Sequence, residues 1–300
     1  MSNKAFIREI QSAITDEIFF SLGMKRRGFS RNILGWAFSL PTRIFARNMA
    51  ATDESVGKGG PAQGCQTMLD LLGVEASVFG RANIPTEGPA IILSNHPGAY
   101  DSFAIISLLP RKDLKIIASE TRFYQVLPHV HPLMLYVNEN PKERMMVIKD
   151  AVDHLRKGGI LLQFGSGLIE PDPANHLIDD AVFNKWSPSI EILLRKVPQT
   201  QIVPTIASHV LLERFLKSPL TRLRRGAMDK RRLAEFMQVI QQLMFPKSVK
   251  ARPMISFGKP FTLDEINQEN PGRRLLPAIL TRAKTQLECH QKWLREMQRS

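Results

Sequence analysis

The sequence predicts an α/β fold in which a mainly parallel or mixed central sheet carries helices on both faces. Short apolar runs alternate with helical segments between residues 66 and 207, which is typical of such a sheet. Before this region, residues 3–50 show the apolar spacing of two amphipathic helices. After about residue 209 the sequence becomes helical and rich in Lys and Arg. We therefore expect an N-terminal amphipathic helical pair, an α/β domain and a basic, mostly helical C-terminal region.

The N-terminal helical pair combines apolar, aromatic and basic residues. In the first helix, apolar residues recur at four-residue spacing, at Phe6, Ile10, Ile14 and Ile18. The second helix carries aromatic residues with arginines around them. Such helices suit the headgroup region of an anionic bilayer. Alternatively, the pair packs on the rest of the protein with a solvated basic face, and the two arrangements are compatible.

The remaining elements follow from apolar runs and from turn residues. Strands are predicted at 74–79, 90–93, 114–118, 133–137, 160–164 and 202–207, with a late edge strand at 254–257. Helices are expected at 66–72, from residue 101, at 140–157 and at 273–299. The Gly-rich stretch at 55–64 predicts a flexible connector. The chain then divides into amphipathic helices with a candidate membrane contact (1–60), an α/β domain (61–215) and a basic helical extension packed on it (216–300).

The net charge of +13 at pH 7 is the strongest feature of the composition. It favours an anionic partner, which could be membrane lipid, a nucleic acid or a phosphorylated substrate. The two cysteines predict neither a disulfide framework nor a metal site, and they fit a reducing cytoplasm. We expect no signal peptide, because the first apolar run is too far from the start and lacks a cleavage site. We also expect no transmembrane helix, because the N-terminal apolar run at 32–42 is well short of about 18 residues.

Residues 90–103 predict a buried strand, a tight turn and the start of a helix. Ala90–Leu93 is apolar, Pro97-Gly98 breaks the run, and Asp101 stands where a helix N-cap is expected. His96 is thus expected at the carboxyl end of a strand and Asp101 at the amino end of the next helix. Ligands usually bind at this edge of an α/β sheet.

A histidine with a neighbouring carboxylate can take a proton from a hydroxyl group, because the carboxylate fixes the ring tautomer and stabilises the imidazolium. The simpler alternatives are that Asp101 only caps the helix and that His96 is only a polar turn residue. The spacing His-x4-Asp is weak on its own, since short patterns also arise by chance. The context gives it weight: Asn95 precedes the histidine, Pro97-Gly98 follows it, and a strand and a helix flank the turn.

The segment Asn95-His96-Pro97-Gly98-Ala99-Tyr100-Asp101 resembles the first block of the phospholipid/glycerol acyltransferases, the lysophosphatidic acid acyltransferase-like superfamily. The signature of that block is Asn-His-x4-Asp after an apolar strand, and the resemblance covers about residues 75–215. The resemblance implies a role in lipid metabolism, in phospholipid biosynthesis. The implied reaction is acyl transfer from a thioester donor, which is acyl-CoA or acyl carrier protein, to a hydroxyl of a lipid-type acceptor. The resemblance also implies that His96 is the general base, that Asp101 orients it, that Asn95 contacts substrate, and that no metal or further cofactor is required.

The third block of the family reads Phe-Pro-Glu-Gly-Thr, and the matching place here is Phe164-Gly165-Ser166-Gly167-Leu168. Phe164 and Gly167 match, whereas the Glu that helps to hold the acceptor in the family is absent. Glu170 is a candidate to replace it. The Gly165-Ser166-Gly167 turn could still offer backbone N–H groups to an anion or an oxyanion, or it could be only a tight turn. The substrate-binding candidates here are Phe164, Gly165, Ser166, Gly167 and Glu170.

The second block of the family is an apolar strand that ends in Asp-Arg, and here Asn138-Glu139 stands in its place. The phosphate-binding Arg is therefore missing, and Arg144 is the nearest candidate to replace it. The fourth block, an apolar strand with a central proline, is matched by residues 202–206. Two blocks thus depart from the family where the acceptor phosphate would bind. We expect an acceptor that is not an ordinary glycerol phosphate ester, or one that binds differently.

These observations predict a cytoplasmic enzyme that is peripheral on the inner face of the membrane. Its expected partners are an anionic lipid surface and an acyl thioester donor. An alternative is a non-catalytic lipid- or acyl-binding protein on the same fold, which the altered blocks motivate. A nucleic-acid binder is not expected, because it would rest on charge alone and we find no nucleic-acid motif.

Overall fold

The computed structural model describes residues 3–21, 29–98, 100–175, 183, 185–269 and 274–297. The strands are β1 (Ser77–Phe79), β2 (Ala90–Ser94), β3 (Leu114–Ser119), β4 (Met134–Val137), β5 (Ile160–Phe164), β6 (Gln201–Ser208) and β7 (Met254–Phe257). The helices are α1 (Asn3–Ser21), α2 (Phe29–Gly59), α3 (Pro61–Leu72), α4 (Asp101–Ser107), α5 (Arg122–Gln125), α6 (Pro141–Arg156), α7 (Ser189–Lys196), α8 (Glu213–Leu216), α9 (Ala227–Met244), α10 (Leu263–Glu269) and α11 (Leu275–Met297).

The seven strands form one mixed sheet in the order β1-β7-β6-β2-β5-β3-β4. All neighbours are parallel except β6 and β7, which are antiparallel. β2 lies at the centre, and all five of its residues are buried because sheet neighbours and helices cover it on every side. The α/β class that the sequence predicts is confirmed, and the expected helical segments are present at both ends of the chain.

Helices cover both faces of the sheet because alternate residues of β2 point in opposite directions. Ile92 lies in a core with buried residues of α1, α2, α3, α4 and α9. Ile91 and Leu93 lie in a second core with residues of α6, α7 and α11. α1 thus packs on the α/β domain, which is one of the two arrangements that the sequence allowed. Within the described residues, no helix combines the length and the apolar character needed to cross a bilayer.

The prediction of a flexible connector at 55–64 is wrong, because this stretch is helical. α2 runs to Gly59 and α3 begins at Pro61, with only Gly60 between them in a left-handed conformation (φ 93°). Gly64 is needed for close packing, since a Cβ there would lie 2.2 Å from a methyl group of Val56. The glycines of this stretch therefore allow two helices to meet closely rather than making the chain flexible.

The sheet opens between β3 and β5 at its carboxyl edge. These strands pair only from Leu114↔Ile160 to Ile116↔Leu162. Beyond that point β5 continues to Phe164 beside β2, whereas β3 continues to Ser119 beside β4. A cavity reaches the ends of both strands, so that this edge of the sheet is accessible between β3 and β5.

Candidate active site

The structure brings His96 and Asp101 together at the carboxyl edge of β2. The Nδ1 atom of His96 lies 2.7 Å from Oδ2 of Asp101. Asp101 is fully buried and also accepts hydrogen bonds from the backbone N–H groups of Gly98 (3.1 Å) and Ser102 (2.5 Å). The side chain of His96 remains 27% exposed, so its other nitrogen, Nε2, is available to a ligand. Asp101 is the first residue of α4, and Tyr100 rather than Asp101 is the N-cap.

The side chain of Asn95 is hydrogen-bonded to the backbone of Ala207. Its amide nitrogen donates to the carbonyl of Ala207 (2.9 Å), and its amide oxygen accepts from the N–H of the same residue (2.8 Å). The side chain is buried. Asn95 therefore fixes the end of β2 to β6, which favours a role in holding His96 over the substrate contact that the sequence suggested.

The segment that matches the third block lies against His96. The ring of Phe164 stacks on the imidazole with centroids 4.3 Å apart, and Ser166 and Gly167 line the cavity. The N–H of Gly165 donates to the carbonyl of Ser94, and that of Gly167 donates to the carbonyl of Phe164. These two N–H groups are thus engaged within the protein, and the predicted anion cradle is not formed from them.

Gly165 lies directly against Trp186. A Cβ at this position would approach the indole ring to 2.1 Å, so a larger residue would displace the tryptophan. Trp186 in turn donates its Nε1–H to Oε1 of Glu170 (3.0 Å). The departure from the family pattern at position 165 is therefore coupled to the packing of this indole ring.

Glu170 is hydrogen-bonded to the backbone of His96. Its N–H donates to the carbonyl of His96 (2.7 Å), and its Oε2 accepts from the N–H of His96 (3.2 Å). Since Oε1 accepts from Trp186, each oxygen has a protein partner, and the side chain is buried. Burial raises the pKa of Glu170, and the hydrogen bonds that it accepts oppose this shift. The geometry favours a residue that positions His96 over one that contacts the acceptor.

Glu235 is a third carboxylate near His96, and the sequence analysis did not identify it. A Cβ added to Gly98 would lie 3.5 Å from Oε1 of Glu235, so this side chain of α9 faces the turn between His96 and Asp101. Burial lowers the pKa of His96, but the charge and hydrogen bond of Asp101, followed by the charges of Glu235 and Glu170, raise it to about 9.

His96 lines a cavity of about 1310 Å³. Most of the lining is apolar and comes from several elements, including Met49, Val56, Phe103, Ile106, Leu133 and Ile148. Arg144 also lines it and is exposed, and its Nε donates to the carbonyl of Asn138 (2.8 Å). The volume exceeds the range of about 300–1,000 Å³ that is common for small-molecule sites. Within the described residues, no group of three or more His, Cys, Asp or Glu side chains is arranged to hold a metal ion.

Comparison with known proteins found a family match for the α/β domain. The family model described as Acyltransferase matches residues 75–208, the segment from β1 to β6 that contains His96 and Asp101. The 1-acyl-sn-glycerophosphate (LPA) acyltransferase PlsC from Thermotoga maritima is similar over 96% of each chain, with 12% identity and a TM-score of 0.47. No curated protein matches the chain. The family match over residues 75–208, just under half of the chain, supports the resemblance of this segment to the phospholipid/glycerol acyltransferase superfamily.

Proposed function

We propose that this protein is an acyltransferase that moves a fatty acyl group from a thioester, acyl-CoA or acyl carrier protein, to a hydroxyl of a lipid-type acceptor. The observation that carries the proposal is the His96–Asp101 pair, whose imidazole faces a large apolar cavity. The pair supplies a base, and the cavity supplies an apolar surface for the acyl chain. Each buried methylene of that chain contributes about 0.8 kcal/mol of binding free energy.

In the proposed mechanism, neutral His96 removes the proton of the acceptor hydroxyl through Nε2. Asp101 accepts the hydrogen bond of Nδ1–H, so that it fixes the tautomer and stabilises the imidazolium. The acceptor oxygen forms a bond to the thioester carbonyl carbon, the carbon–sulfur bond breaks, and the thiolate takes the proton from His96. The products are an ester and a free thiol. General-base catalysis of this kind contributes about 10²–10⁴ in rate.

The charge around His96 sets the expected pH dependence. A base with a pKa of about 9 is neutral in only about one molecule in a hundred at pH 7. We therefore expect kcat/KM for acyl transfer to rise about tenfold per pH unit and to level off above about pH 9. The measurement is an incubation with acyl-CoA or an acyl carrier thioester plus a lipid extract, read by mass spectrometry, with enzyme-free thioester hydrolysis subtracted at each pH.

Two results of this assay would contradict the proposal. Binding of thioesters without turnover across all donors and acceptors would favour the alternative, a non-catalytic acyl-binding protein. Transfer that falls between pH 6 and 8 would exclude His96 as the base, because the neutral fraction of its imidazole can only increase with pH.

We also propose that the protein acts on the inner face of the membrane, on an anionic lipid surface. One apolar and basic surface that supports this proposal is the leucine–arginine segment, residues 219–225. Leu220 and Leu223 are 54% and 77% exposed, and Arg222, Arg224 and Arg225 flank them. Exposed leucines between arginines suit insertion among anionic headgroups.

The leucine–arginine segment is close to the proposed active site. α9 begins at Ala227, just after this segment, and carries Glu235 beside the His96 turn. Eight residues of helix span about 12 Å. α9 also contacts α2 through Phe236 and Phe38, and α2 exposes Trp36 on its surface. A protein bound through these residues would hold its catalytic base near the headgroups that carry the acceptor.

The double variant Leu220→Ser/Leu223→Ser is expected to weaken binding to phosphatidylglycerol-containing vesicles by about tenfold, because two partly inserted leucines lose their apolar contacts. Vesicle co-sedimentation measures the change. The matched control is Met145→Ser/Met146→Ser, which alters two similarly exposed residues of α6. Equal binding by the leucine variant and the wild type, or equal wild-type binding to neutral phosphatidylcholine, would contradict the proposal.

A further inference from the structure

Gln163 is a polar residue in an otherwise apolar strand. It is 3% exposed and stands in β5 after Ile160-Leu161-Leu162. Its amide nitrogen donates to the hydroxyl of Ser189 (3.0 Å), whereas its amide oxygen has no hydrogen-bond partner among the described residues. Buried polar atoms are nearly always paired, so this amide oxygen needs a donor from outside the described side chains, either water or a ligand in the cavity.

Gln163 belongs to the same cavity as His96. Both line it, as do Ser187 and Ser189. Along β5, side chains alternate between the two faces of the sheet, so that Phe164 stacks on His96 while Gln163 meets α7 on the opposite face. The residues that line the cavity come from both faces of the sheet, Ile106 and Ile116 from one and Ala151 and Leu193 from the other, which indicates that the cavity joins the faces beside the gap between β3 and β5. A ligand that passes His96 and follows this gap therefore reaches Gln163.

The polar surface at this end of the cavity is a small network. Ser187 and Ser189 lie 3.0 Å apart between their hydroxyl oxygens, and Ser189 accepts from Gln163. A fatty acyl chain has no hydrogen-bond donor or acceptor, so it does not satisfy these groups. A secondary amide carries one donor and one acceptor, and it can therefore pair with a glutamine amide and a serine hydroxyl together.

We infer that Gln163 and Ser189 bind the pantetheine arm of the thioester donor. This inference rests on the proposed function, because it assumes a thioester substrate. Pantetheine is the part that coenzyme A and acyl carrier protein share, and its two secondary amides follow shortly after the sulfur. With the thioester carbonyl at His96, the arm would run through the gap between β3 and β5 and place an amide N–H on the oxygen of Gln163. Gln163 is then a residue for donor recognition, and His96 retains the chemistry.

The test compares Gln163→Met with the wild type on two donors that carry the same acyl chain. One is acyl-CoA, and the other is a simple alkyl thioester that has no amide. Methionine keeps the approximate volume of glutamine and removes its amide. We expect kcat/KM for acyl-CoA to fall at least tenfold, whereas kcat/KM for the alkyl thioester should stay within about twofold of the wild-type value.

Two further variants separate this role from a general effect on folding. Ser189→Ala should reproduce the selective loss, by a smaller factor, and it tests the proposal independently if Gln163→Met folds poorly. Thr200→Val is the matched control, because the buried hydroxyl of Thr200 also has no hydrogen-bond partner among the described residues, and Thr200 is not among those that line the cavity. It should leave both donors unaffected.

The inference is overturned if Gln163→Met and Ser189→Ala leave acyl-CoA turnover unchanged or lower turnover of both donors equally. A change confined to the KM of the acceptor also overturns it, and assigns the subsite to the acceptor hydroxyl instead. These results differ from a failure of the proposed function, in which the wild type itself would turn over neither thioester.

Discussion

His96→Ala is expected to lower kcat/KM for acyl transfer by about 10²–10⁴-fold, which is the contribution of a positioned general base. The imidazole is held between the carboxylate of Asp101 and the ring of Phe164, so an exogenous base would not be held in the same place. The fold should persist, because the side chain is partly exposed and Asp101 keeps the hydrogen bonds from Gly98 and Ser102. Steady-state transfer rates and thermal unfolding measure the two effects.

A second histidine–aspartate pair provides the control for this variant. The Nδ1 atom of His129 lies 2.9 Å from Oδ2 of Asp53, which also accepts the N–H groups of His129 and Val130. This pair joins α2 to the loop before β4, and His129 does not line the cavity. His129→Ala should therefore leave transfer within about twofold of the wild type. Equal losses in both variants, or full turnover by His96→Ala, would remove His96 from the mechanism.

Local signals made the centre of the site predictable from the sequence. Ala90–Leu93 is apolar, Pro97-Gly98 stops the strand, and the next apolar run starts just after Asp101. These features lie close together in the sequence, between residues 90 and 103. Their arrangement therefore depends little on the rest of the chain. The predicted strand matches β2 to within one residue, and the imidazole and carboxylate are in hydrogen-bonding distance.

Contacts that depend on tertiary packing were not predictable. Glu235 faces the His96 turn only because α9 packs on the same side of the sheet, and its local sequence is that of an ordinary amphipathic helix. The prediction of a flexible connector at 55–64 was wrong for a related reason. A glycine suits a flexible loop and a close helix contact equally well, and only the position of Val56 against Gly64 distinguishes them.

The altered third block shows how a substituted motif can be accommodated by its surroundings. Position 165 is a glycine because Trp186 occupies the space beside it, and the indole N–H is held by Glu170. Glu170 also makes two hydrogen bonds with the backbone of His96. The sequence indicated Glu170 as a substitute for the acceptor-binding Glu. Its hydrogen bonds instead connect the loop after β5 to the turn that carries the proposed base.

Asp172→Ala is expected to lower the free energy of unfolding by about 3–5 kcal/mol. The buried carboxylate of Asp172 accepts four backbone N–H groups, which belong to Ala174 (2.9 Å), His209 (3.0 Å), Val210 (2.8 Å) and Leu211 (3.1 Å). Alanine would leave these donors without their partner in a site that water reaches poorly. Urea unfolding measures the change, and a loss below 1 kcal/mol would contradict the role assigned to this carboxylate.

Two matched variants test whether the hydrogen bonds account for this loss. Asp172→Asn retains one oxygen acceptor, so about half of the loss is expected, since each oxygen of Asp172 accepts two of the four bonds. Asp70→Ala, on the exposed surface of α3, should change stability by less than about 0.5 kcal/mol. Because Asp172 ties the segment after β6 to the loop that contains Glu170, the destabilised variant should also lose acyl transfer at temperatures where it remains folded. Full transfer by folded Asp172→Ala would mean that the position of His96 does not depend on this connection.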